Sequence, residues 1–184
     1  MPDFDRIAIS KKWVSDWVIQ LNLCPFAAKP FQEDAIRYVL FNPATDFEIL
    51  DHFAHEIEYL KDKDTVSTTL LVFENEDLVR DFEDFLDIYY YLESKLEDFE
   101  WETDFQLAAF HPDYLFGGEH PESNSHYTNR APFPIIHILR TEQVEAARNF
   151  YPDVEEIPQR NIKRMLSLPL SEINQRLYDI KRAH

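Results

Sequence analysis

The sequence predicts an α/β (or α+β) chain with a four-stranded mixed sheet and helices packed on it, and three observations carry the prediction. Four short runs, "AIRYVLF" (35–41), "TTLLVF" (68–73), "FQLAAF" (105–110) and "IIHIL" (135–139), have the length and the β-branched or aromatic content of strands. Segments with apolar residues at helical spacing alternate with them. The runs at 68–73 and 135–139 are almost unbroken apolar stretches, the pattern of strands covered on both faces, which calls for helices on both sides of the sheet.

Taken in order, Ile9, Trp13, Val14, Trp17, Val18 and Leu21 form one stripe, so a helix is expected from about Ile7 to Leu21. Asn22 is placed to end it, and Pro25 pushes Cys24 toward an extended conformation, so "NLCPFA" reads as a turn. After the first strand a helix is expected over 46–62. After the second, Leu78, Phe82, Phe85, Tyr89, Leu92, Leu96 and Phe99 mark an amphipathic helix over 78–99. A helix follows the fourth strand from Glu142, another begins near Pro158, and a last one near Ser171. Alternating strands and helices imply right-handed crossovers and a largely parallel or mixed sheet.

The connection from His111 to Pro134 breaks this rhythm. It holds both glycines of the 184-residue chain, Gly117 and Gly118, and four of its seven histidines lie between 111 and 137. Loops of this length without structure of their own are uncommon in compact domains and usually functional, so 111–134 is expected to be a functional loop on a single domain spanning 1–184.

Composition excludes several classes. A net charge of −17 is unsuited to binding nucleic acid, which needs clustered Lys and Arg. No stretch reaches the length of a membrane span, the N-terminus lacks a leader pattern, and one cysteine cannot form an internal disulfide, so a cytoplasmic protein is expected. Residues 74–104 carry thirteen acids against two bases, either a solvated helix face or a dock for a basic partner. By contrast 17–32, 123–141 and 157–171 contain no acid. If they converge, Arg130, Arg140 and Arg160 would make a local positive site able to grip carboxylate or phosphate.

Among the candidates for chemistry, His111 stands at a strand end, where α/β folds usually bind ligands, and suits a general acid or base. His137, between Ile135 and Leu139 on one strand face, reads as a core histidine held by one hydrogen bond, and alternation puts Arg140 on the opposite side. Cys24 is a candidate nucleophile paired with one of these histidines. Against it stand the preceding helix C-terminus, which disfavours a thiolate, and the flanking Leu23 and Pro25, so an inert buried thiol is the competing reading. For a metal, His111, His120 and His126 with Asp113, or His52 and His55 with Glu56 or Glu58, are suitable residue types, but no spacing matches a compact motif and no metal ligands are assigned.

"LNLCPFA" (21–27), "QLAAFHPDYLFGG" (106–118), "YTNRAPFPIIHILR" (127–140) and "IPQRNI" (157–162) together resemble a family of bacterial proteins of about this length known only as a domain of unknown function. The resemblance implies no activity, cofactor or fold. It does sort the candidates: Cys24, His111, Pro112, Asn129, Arg130, His137, Arg140, Arg160 and Asn161 match the family pattern, whereas His120 and His126 lie in "GEHPESNSH", where the chain departs from it. The expected site is therefore a pocket between the long loop, the "LCPFA" turn and the "RN" helix start. There Asn129, Arg130, Arg140, Arg160 and Asn161 would bind a small anionic ligand, with His111 and Cys24 as candidate catalytic groups. The alternatives are a non-catalytic interaction module using the acidic helix 78–99 and a metal-binding protein.

Overall fold

The computed structural model describes residues 5–75, 78, 79, 81–151 and 153–182, which leaves Glu76, Asp77 and Arg80 of the acidic segment outside the description. Its strands are β1 (Ile36–Phe41), β2 (Thr68–Phe73), β3 (Phe105–Phe110) and β4 (Ile135–Arg140). They form one sheet in the order β1-β2-β4-β3, with β1 and β2 parallel and β4 antiparallel to both its neighbours. The α/β architecture with a mixed sheet is thus present. All six residues of β2 are buried, as its unbroken apolar run requires.

Alternation along the strands divides the core in two. On one face Phe41, Leu71, Phe73, Ile136 and Ile138 pack against α3 (Asp46–Asp62) and α4 (Phe82–Asp98), which contribute Phe53, Ile57, Phe85 and Leu92. Thr45 starts α3 by accepting a hydrogen bond from the Glu48 N–H. The Asp81 carboxylate starts α4 by accepting from the N–H groups of Glu83 and Asp84. That cap explains why α4 begins at Phe82 although Leu78 and Val79 continue the apolar pattern.

On the other face Leu70, Val72 and Ile135 pack against α1 (Arg6–Trp13), α6 (Ile157–Ser167) and α7 (Leu170–Lys181), through Ile9, Trp13, Met165, Ile173 and Ile180. The helix expected to reach Leu21 changes character on the way: Val14–Ile19 is a π-helix, with Gln20 N–H donating to Ser15 O and Leu23 N–H to Val18 O. Asn22, at φ 53°, ends it in the left-handed conformation that suits asparagine. Two further helices complete the set, α2 (Ala28–Gln32), which no sequence signal announced, and α5 (Thr141–Phe150). Among the described residues no helix is long and apolar enough to cross a membrane.

Arg140 leaves β4 on the α3 side. Its guanidinium donates to the carbonyls of Leu60, Lys63 (3.1 Å) and Val66 (3.2 Å), tying the end of α3 and the turn that follows it to β4. Arg140→Ala is expected to lower the unfolding free energy by about 1–3 kcal/mol, since these groups lose a charged donor. An unchanged urea midpoint would contradict that role.

Candidate functional site

The three acid-free segments do converge. The Trp17 indole N–H donates to Tyr127 O (3.2 Å), Asn161 Nδ2 to Leu23 O (2.6 Å) and Asn124 Nδ2 to Leu168 O (3.1 Å). The arginines there are engaged by the protein itself. Arg130 Nε donates to Tyr114 O (3.2 Å) and its guanidinium lies 4.5 Å from the Tyr127 ring centre. The guanidinium of Arg160 lies over Tyr151, 5.4 Å from the ring centre, and that of Arg140 is held at α3 on the far side of the sheet. Asn129 Nδ2 donates to Ala109 O (3.3 Å), while its own carbonyl accepts from the His111 N–H.

His111 is buried, with its ring centre 5.5 Å from that of Phe82 and 5.2 Å from that of Phe85. Its Nδ1 accepts the Asp113 N–H at 3.1 Å, which shapes the turn out of β3. It lines a cavity of about 470 Å³ together with Asp113, Phe133 and Tyr178. His126 is also buried: Nδ1 accepts the Phe116 N–H (3.0 Å) and Nε2, facing the His120 carbonyl at 2.9 Å, must donate to it. The long loop is therefore ordered by its own side chains around a 3-10 turn at Asn124–Thr128. Of its two glycines, Gly118 has φ 82°, a backbone conformation that a side chain would strain. Among the described residues no three His, Cys, Asp or Glu side chains gather as a metal site would need.

Where the structure opens is the sheet face opposite α3 and α4. A cavity of about 740 Å³ has Ile36, Thr68, Leu70, Phe110, His137 and Leu139 as its floor. Trp13, Val14 and Val18 form one wall, the turn from Cys24 to Ala27 a second, and Val144 and Ala147 of α5 a third. Small side chains at Ala27, Ala146 and Ala147 leave the space unfilled. Two of the wall residues, Val14 and Val18, belong to the π-helix, a distortion often found at functional sites. Lys29 and Glu33 pair at 4.0 Å across the mouth, both largely exposed. Of the residues that sequence reasoning singled out, Cys24, His137 and Arg140 line this cavity, the last with its guanidinium spent on the carbonyls of Leu60, Lys63 and Val66; His111 does not line it.

Cys24 has no charged partner in the turn. Burial pushes its thiol above the ordinary value, only partly offset by the backbone N–H groups of Phe26 and Ala27, so it stays protonated at neutral pH. It serves as a soft, apolar wall.

His137 carries the distinctive chemistry. The Thr68 hydroxyl lies 2.5 Å from the Ile138 carbonyl oxygen and 2.5 Å from His137 Nε2. A carbonyl only accepts, so the single hydroxyl proton goes to Ile138 and Nε2–H must donate to Thr68. The neutral ring therefore carries its proton on Nε2 and a lone pair on Nδ1. Nδ1 has no hydrogen-bond partner among the described residues, yet it is not sealed in as Trp13 Nε1 and Thr69 Oγ1 are, so its accessible surface faces the cavity. Desolvation pushes the ring's pKa down from 6.5 to about 4.

Sequence reasoning treated this residue as core because it saw the strand and not its neighbour. The available signal was that both of the most apolar strands carry polar residues, "TTLLVF" at Thr68 and Thr69 and "IIHIL" at His137. Only the β2–β4 register, with Thr68 opposite Leu139, brings Thr68 and His137 together.

The proton balance has a sign. The unfolded ring titrates at its ordinary 6.5 and the folded one near 4, so between these values the unfolded state binds the extra proton. This contribution to stability is complete above pH 6.5 and is lost as pH falls toward 4. Nitrogen NMR of the ring is expected to show a neutral Nε2–H tautomer at neutral pH that persists well below 6.5. A proton on Nδ1, or a charged ring at about pH 6, would contradict the assignment.

No match is found among curated proteins or among solved structures. A family profile does match residues 5–175, a span that includes the Cys24 turn, both central strands and the start of α6. The chain therefore belongs to the family described as "Protein of unknown function (DUF1415)".

Proposed function

We propose that this protein binds a small, largely apolar organic molecule in the cavity between the sheet, the π-helix and α5. The observation that carries the proposal is the cavity itself: about 740 Å³, walled mainly by aliphatic and aromatic side chains, with one accessible ring nitrogen in its floor. Ligand sites are typically concave, of roughly 300–1,000 Å³, mostly apolar and equipped with few polar groups that fix orientation. The edge-on pair of Trp13 and Phe110, with ring centres 5.1 Å apart, and Phe110 beside His137 at 6.3 Å give the interior an aromatic lining.

Binding of an anion through Arg130 and Asn129, with His111 as acid or base, has weaker geometric support. The side chains of Arg130 and Asn129 already hold backbone carbonyls, and His111 packs under α4. The cytoplasm remains the proposed location, in keeping with a single, free cysteine.

A thermal-shift panel of small aromatic compounds tests the proposal. A ligand at about a hundred times its dissociation constant stabilises by about 2.7 kcal/mol. Ala147→Trp, which fills the cavity from α5, is expected to abolish the shift, and a bound ligand is expected to slow alkylation of Cys24 by iodoacetamide. Shifts that survive Ala147→Trp with Cys24 left unprotected would place the binding elsewhere.

A further inference from the structure

We infer that the cavity selects neutral molecules that present a hydrogen-bond donor, an aromatic N–H or O–H, to Nδ1 of His137, and discriminates against carboxylates and phosphates. The inference rests on the reading of the cavity as a ligand site and adds to it the chemical class of the ligand.

Three observations carry it. First, the Thr68 hydroxyl is committed to the Ile138 carbonyl and to Nε2–H, so Nδ1 meets a ligand only as an acceptor. A ligand whose matching group is itself only an acceptor, such as a carboxylate oxygen, would set two lone pairs against each other there. The ring does not escape by taking a second proton, because burial already disfavours the charged form. Second, the other polar group of the floor, the Thr68 hydroxyl, has no second proton to offer; Ser67 and the exposed Gln143 also line the cavity, outside this floor. Third, no cation is placed to receive an anion inside. Lys29 lies at the exposed mouth beside Glu33, and Arg140, although it lines the cavity, has its guanidinium donated to the carbonyls of Leu60, Lys63 and Val66. An anion would therefore leave water for an apolar space without a counter-charge. A molecule with no polar group would enter but leave the Nδ1 lone pair unmatched.

Indole, N-methylindole and an indole carboxylate separate these cases, because they share a ring system and differ at the donor or in charge. By calorimetry, indole is expected to bind about tenfold more tightly than N-methylindole, the scale of one buried hydrogen bond, and the carboxylate more weakly than either. In His137→Phe, which keeps the cavity apolar, indole and N-methylindole are expected to bind alike. Thr68→Val keeps the imidazole but frees its tautomer, and is expected to narrow the preference as well. Equal affinities in the wild-type protein, a preference that survives His137→Phe, or tightest binding by the carboxylate would each overturn the inference while leaving a ligand-binding cavity in place. Failure of all three to bind would overturn the cavity reading and this inference with it.

Discussion

The antiparallel pairing of β2 with β4 is the constraint on which the rest depends. Each is a central strand of the sheet, so the polar groups it carries look for partners on the neighbouring strand. Thr68 meets this demand by bridging the Ile138 carbonyl and His137 Nε2 across the pair. One short network thus satisfies the backbone, fixes the ring's tautomer and leaves one lone pair facing open space. Neither residue achieves this alone: without Thr68 the ring could carry its proton on either nitrogen, and without His137 the cavity floor would be almost wholly apolar.

The two faces of the sheet do different work. On the α3–α4 side the space is filled by phenylalanine and branched aliphatic side chains, and Arg140 binds the end of α3 to β4. On the other side the covering elements are less regular: a π-helix, a proline-containing turn and the stretch of α5 that carries Ala146 and Ala147. Irregular backbone and small side chains cannot fill a sheet face as straight helices with large side chains do, and the cavity is what they leave.

Much of the fold was legible in the sequence because strand and helix identity follow from local periodicity. The four strands, the long helices and the burial of both faces at 68–73 could all be read from apolar spacing. The convergence of the acid-free segments was legible too, but its meaning was not. Arg130, Arg140 and Arg160 have the chemistry of anion binding, and whether a guanidinium is available depends on which carbonyls or rings fold beside it, which no local pattern records. The same reasoning separates the histidines. His111 and His126, conspicuous in the loop, use ring nitrogens to hold their own turns. His137 passed for a core residue until the partner strand, more than sixty residues away in the chain, supplied Thr68. The Cys24 turn was located correctly from Asn22 and Pro25, and its part in a cavity wall became visible only with α5 opposite.

A crystal structure of the protein soaked with indole tests the central claim most directly. The account predicts the ring system lying over β2 and β4 with its N–H about 2.9 Å from Nδ1 of His137, the ordinary length of such a hydrogen bond. An empty cavity in crystals that hold indole elsewhere, or indole seated there with its N–H turned away from His137, would contradict it.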